Sequence, residues 1–160
     1  MANVFGKYSD KISGTWTLIS FEMFTSDGPD QKFVSKPHGD NPTGRVVISQ
    51  SGYLSAILAV PAFMAPLASD DWAEATDEEV LRVSRNVTCY AGPMTLLERG
   101  DGGLLWHTQV EIANNPNWIG KQQTRLADWS EENGTLCMIL RPDKWYTLEV
   151  RAWFLLTNKF

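Results

Sequence analysis

The chain is poor in the residues from which metal sites and disulfide frameworks are built. Its 160 residues include two cysteines, Cys89 and Cys137, and two histidines. These are scattered, with no spacing that suits a metal ion, and nothing in the cysteine spacing argues for a disulfide. Two thiols of this kind fit a reducing compartment. No apolar run approaches the roughly 20 residues that a membrane-spanning helix needs. The opening MANVFGKYSDK lacks the apolar segment of a secretory signal, so a cytoplasmic location is expected. The sequons Asn86-Val87-Thr88 and Asn133-Gly134-Thr135 then read as chance matches. There is no run of lysine and arginine, and the formal net charge is −5. Such a surface has no reason to seek nucleic acid or anionic lipid. No linker, repeat or low-complexity segment interrupts the chain, which reads as a single domain, 1–160. No nucleophile elbow and no glycine-rich loop in a strand–turn–helix setting is present, which argues against a serine hydrolase and a nucleotide site. No cofactor and no metal is expected; self-association is left open.

Aromatic residues are what the chain has in plenty, with seven Trp, seven Phe and four Tyr. Clusters of Gly, Pro, Asp and Asn cut the sequence into short β-like runs at 14–24, 31–36, 44–49, 53–60, 92–99, 104–113, 118–127, 135–141 and 146–156. Turns are marked at 26–29, 50–52, 100–102 and 132–134. Successive hairpins of this length predict an all-β, up-and-down barrel of about eight or nine antiparallel strands, a closure that leaves no exposed edge. One insertion breaks the pattern. Thr76-Asp77-Glu78-Glu79 is a capping box, and Val80, Val83 and Val87 follow at helical spacing. Before it, the proline-broken apolar segment 60–72 reads either as a cover over one barrel mouth or as a connection packed outside.

The most informative stretch is 103–127. On its first strand His107, Gln109 and Glu111 share one face, and Leu104, Trp106, Val110 and Ile112 the other. Folding back about Pro116 sets His107 opposite Arg125, Gln109 opposite Gln123 and Glu111 opposite Lys121. Opposed side chains in an antiparallel pair interact. If that face looks into a cavity, His107 is the acid/base candidate and Arg125 an anion clamp. If it looks at water, it is an ordinary polar face and Arg125 pairs with a surface carboxylate.

Other candidates are weaker. Glu22 shares the even face of the first strand with Trp16, Leu18 and Phe24, which suggests either a desolvated base or a wet strand end. Tyr53, Tyr90 and Trp153 pair an apolar body with a polar tip and suit a pocket wall; Trp118 and Arg151 join them as ligand contacts. Trp16 reads as a plug at the closed end.

Three segments together resemble the lipocalin-like domain family of bacteria and fungal secondary-metabolite pathways: GTWTLISFE (14–22), GDNPTG (39–44) with GYLSA (52–56), and PNWIG (116–120) with Gln123 and Arg125. The resemblance runs from about residue 13 to 155. His107 falls where that family commonly has a histidine ahead of its PNW turn. The text at 89–94 and the apolar C-terminus depart from the family pattern. The resemblance implies a barrel around a small-molecule cavity. The expected function is a cofactor-independent cyclase or isomerase of a small apolar, aromatic or polyketide-like intermediate. Closure of an oxygen heterocycle by hydroxyl addition to an alkene is one such reaction. A non-catalytic carrier, or a structural protein whose aromatics are all core, are the alternatives.

Overall fold

The computed structural model describes residues 2–25, 29–132, 134–143 and 151–157, without the side chains of residues 132 and 151–155. In chain order the elements are α1 (Phe5–Ile12), β1 (Gly14–Phe24), β2 (Phe33–Ser35), β3 (Thr43–Ile48), β4 (Tyr53–Ala59), α2 (Asp77–Ser84), β5 (Val87–Glu98), β6 (Leu104–Gln109), β7 (Ile112–Ala113), β8 (Gln122–Glu132), β9 (Thr135–Pro142) and β10 (Arg151–Thr157). The hydrogen-bonded order β10-β9-β8-β6-β5-β4-β3-β1 closes through a β10–β1 pairing. Eight antiparallel strands therefore form a barrel, with β2 laid on β1 and β7 on β5. This is the all-β barrel with an inserted helix that the hairpin pattern predicts.

Alternation sorts the side chains. In β3 Val46 and Ile48 are buried while Arg45 and Val47 are exposed, and in β4 Leu54, Ala56 and Leu58 point inward. Each fully buried side chain of this size stabilises by about 1.5–3 kcal/mol. At one end the barrel is closed by α1, which the hairpin pattern does not announce. Its Phe5 and Ile12 lie two helical turns apart and both are buried. The Ile12 carbonyl accepts a 2.8 Å hydrogen bond from Trp16 Nε1, so the tryptophan is wholly buried with its one donor satisfied. Trp129 packs against it with ring centroids 5.9 Å apart. Trp106 is buried on the same inner wall and donates to Thr108 Oγ1 at 2.8 Å. Both cysteines are free thiols.

Two irregularities decide which side chains face inward. The register of β1 on β10 shifts between Leu18 and Ser20. This bulge adds one residue and exchanges the faces of everything after it. The second lies between β6 and β8. Trp106 pairs with Arg125, and His107 with Thr124. The alignment set by folding about Pro116 is therefore wrong by one residue. Pro116–Trp118 form a 3-10 turn rather than a symmetric hairpin tip. Gly120 follows at φ 77°, a left-handed conformation suited to glycine, and its N–H bonds the Val110 carbonyl at 2.9 Å. Close packing here also requires Gly92, since a Cβ at that position would lie 1.8 Å from the Gln109 carbonyl oxygen.

The insertion between β4 and β5 has the expected capping box: Thr76 Oγ1 accepts from the Glu79 N–H and the Glu79 carboxylate from the Thr76 N–H. Glu79 also accepts from the Ala68 N–H, and Arg82 donates to the carbonyls of Phe63 and Ala65. Segment 60–72 is thus laced to α2.

Candidate functional site

The end of the barrel opposite α1 is the open one. Late β1, the β2–β3 loop, early β5, the turn after β7 and early β8 converge there around a cavity of about 150 Å³. Its wall is mostly apolar, with Val46, Ala56, Leu58, Leu140 and Leu156 among the lining residues. A dry cavity of about this volume accepts benzene, whereas drug-sized sites run to roughly 300–1,000 Å³. The space suits a one-ring molecule. Among the described residues, segment 60–72 contributes nothing to its lining. Trp72 instead borders a separate groove with Val83, Ser84, Val87 and Asn114.

Arg125 lies on the cavity wall because the one-residue register places it beside inward-facing Trp106. Its Nη1 donates to the Thr124 carbonyl at 2.8 Å and to Gln123 Oε1 at 3.4 Å. Among the described residues it has no carboxylate partner within 4 Å. A guanidinium has five donors, so the fork retains capacity for a ligand oxygen. Half-buried Gln123 orients it. Tyr90 and Trp118 form an aromatic corner of the same wall, edge to face at 5.9 Å and 86°.

The remaining candidates stand elsewhere. His107 is on the outer wall, where its Nδ1 meets Thr124 Oγ1 at 2.8 Å. The same register leaves Gln109 exposed. Tyr53 is also outside, donating to Glu111 at 2.9 Å; the carboxylate accepting its proton raises the phenol above its ordinary range. Glu22 is turned away from the cavity by the β1 bulge. It accepts from Ser20 at 2.9 Å, lies 3.8 Å from the Lys36 ammonium and is one-third exposed. Of the two sequence readings of Glu22, this geometry is that of the wet strand end rather than the desolvated base. The backbones of Arg151 and Trp153 pair with Phe24 and Glu22; their side chains lie outside the described residues.

Face counting misses two wall residues. Phe21 enters because of the bulge that expels Glu22. His38 enters from the β2–β3 loop and meets the Phe21 ring edge to face at 4.9 Å. Its Nδ1 is shielded from solvent and has no hydrogen-bond partner among the described residues. Burial lowers its pKa below the usual imidazole range, favouring the neutral ring. The available signal was its place directly before the GDNPTG segment, as one of only two imidazoles in the chain.

Among the described residues no cluster of His, Cys, Asp or Glu is arranged to hold a metal ion, and no helix is long and apolar enough to cross a membrane. No curated protein and no solved structure matches the chain. The description "Lipocalin-like domain" matches residues 13–159, nearly the whole length, in agreement with the eight-stranded barrel and its internal cavity. The chain belongs to the lipocalin-like domain family.

Proposed function

We propose that the barrel binds a small ring compound bearing an acidic oxygen and isomerises or cyclises it without a cofactor. The observation that carries this reading is the Arg125 guanidinium, which lines a mostly apolar cavity with no carboxylate partner among the described residues. A cation held in poorly polar surroundings is costly unless something anionic joins it. In isomerisations and in hydroxyl additions to an alkene conjugated with a carbonyl, negative charge develops on an oxygen. A preset guanidinium stabilises that charge. The apolar wall and the Tyr90–Trp118 corner would hold the ring in a reactive pose and exclude water, so much of the rate would come from orientation. Such steps rearrange bonds within one molecule and need no redox partner. Closure of an oxygen heterocycle in secondary metabolism is one such reaction.

A carrier of the same ligand is the rival reading, favoured by the few polar side chains on the wall. One measurement tests the anion site that both readings share, and a second separates them. Quenching of tryptophan fluorescence should show benzoate and phenols binding at least about tenfold tighter than their uncharged methyl ester and ether analogues, a difference of about 1.4 kcal/mol. Equal affinity for acids and neutral analogues would remove the anion-binding role. Incubation with ring-bearing extracts, followed by mass spectrometry and chromatography of the released ligand, should show a product of unchanged mass and altered retention. Ligand returned unaltered from every extract would favour the carrier.

A further inference from the structure

We propose that the cavity takes a phenol or an enol, whose hydroxyl proton passes to His38 while Arg125 holds the oxygen left behind. This rests on the reading of the cavity as a site for a small acidic ring compound, and it assigns the substrate class and the proton's destination. A carboxylic acid is already ionised at neutral pH and needs only a cation. The cavity offers more than a cation: an imidazole stands on the same wall as the guanidinium. His38 Nδ1 is buried and lacks a partner among the described residues. The ring itself lines the cavity beside Phe21, and the phenols and enols whose O–H is weakly acidic need such an acceptor in order to react.

The step balances. The ligand O–H bond breaks, its electron pair stays on oxygen, and the proton binds the His38 imidazole. The oxygen then carries a full negative charge beside two cations, and no oxidant or reductant is involved. In the empty cavity burial keeps the imidazole neutral and ready to accept. The developing oxyanion then offsets the cost of charging it. The ring of the ligand would lie among Phe21, Tyr90 and Trp118, in the edge-to-face contacts aromatic rings favour. The other titratable groups around His38 are Arg125 and Tyr90 on the cavity wall, Lys36 and Asp40 on its own loop, and Glu22 on β1. Lys36 bridges Asp40 at 2.9 Å and approaches Glu22 at 3.8 Å. These three form their own charge cluster.

The test uses 4-nitrophenol, a one-ring acid whose anion is coloured. It is titrated into the full chain about one pH unit below the free probe's midpoint, where about nine-tenths of the free probe is neutral. The bound probe should show the phenolate spectrum, and the ¹⁵N resonances of His38 should move to the doubly protonated position. His38→Gln should bind the probe in its neutral form and about tenfold more weakly. Phenolate bound while wild-type His38 stays neutral would overturn the assignment of the proton, and so would unchanged spectrum and affinity in His38→Gln. Either result would leave the acid-binding reading intact. If neither 4-nitrophenol nor benzoate binds, both readings fail. The histidine resonances are read on the wild-type chain, so the test does not depend on the variant folding.

Discussion

Replacing Arg125 with methionine should separate stability from function. The guanidinium is half-buried on an apolar wall, with two hydrogen bonds to Gln123 and Thr124 and no carboxylate partner among the described residues. Removing it loses those bonds, a net of about 0.5–1.5 kcal/mol each. It also removes the cost of holding a charge without a described carboxylate partner on a mostly apolar wall, a cost that commonly equals or exceeds such gains. Methionine fills a similar length with polarizable, adaptable apolar atoms. The expected net change in stability is within about 1 kcal/mol, or a shift in Tm of about 2–4 °C for a chain of this size. Ligand binding should respond differently. A hydrogen bond from a charged donor contributes about 1.5–3 kcal/mol, so affinity for benzoate or 4-nitrophenol should fall by roughly 10–100-fold. Affinity for the uncharged analogues should stay the same or rise. Calorimetric unfolding and tryptophan-fluorescence titration measure the two quantities on one sample. A loss of more than about 2 kcal/mol in stability with less than a twofold change in acid affinity would refute the argument and make Arg125 a structural residue.

His107→Ala should leave cavity affinity and any turnover within about twofold, while the lost bond to Thr124 lowers stability by about 0.5–1.5 kcal/mol; a tenfold fall in turnover, measured by product formation, would return His107 to the site. Thr76→Ala should lower the local stability of α2 by about 1 kcal/mol; amide exchange over 77–84 should accelerate while exchange in the barrel strands is unchanged. His38 makes the fold sensitive to acid in a definite direction. Its folded pKa lies below the unfolded value of about 6.5, so the unfolded chain binds the extra proton first and stability is lost as pH falls from about 6.5 through the folded pKa. Denaturant midpoints collected across that window should flatten in His38→Gln, and an unchanged slope would show that the imidazole is equally basic in both states.

The barrel was legible because its signals are local. Turn residues at 50–52 and 100–102 and the alternation of 44–49 act over a few positions, and each survives in the structure as a turn or a strand. The helix at 77–84 was legible for the same reason, since the Thr76–Glu79 capping box spans four residues. Helix α1 was not, because its buried residues, Phe5 and Ile12, are two isolated positions whose partners come from across the barrel. The match of the chain to the family is consistent with the strength of the GDNPTG and PNWIG segments, which lie at the entry to β3 and in the turn before β8.

The site was less legible, because inside and outside are relative terms in a strand of period two. A polar face such as His107-Gln109-Glu111 looks the same whether it meets a cavity or water. One added residue anywhere upstream exchanges the two. That happened twice here, at the Leu18/Ser20 bulge and in the turn that pairs Trp106 with Arg125. The first sent Glu22 out and brought Phe21 in. The second kept Arg125 inside but parted it from His107. Parity alone cannot choose between registers, but burial can. A register with His107 inward would put Trp106, now almost wholly enclosed, on the outer wall. Exposing a residue that contributes 150–250 Å² of buried surface costs several kcal/mol at about 25 cal/mol per Å², more than any hydrogen bond the polar face could gain in return. The largest aromatic on a strand therefore fixes the inward face before the polar residues are assigned roles. By that rule Trp106 and its partner Arg125 face the barrel interior and His107 does not. The remaining imidazole, His38, sits in an aperiodic loop, and only closure of the barrel brings it to the cavity.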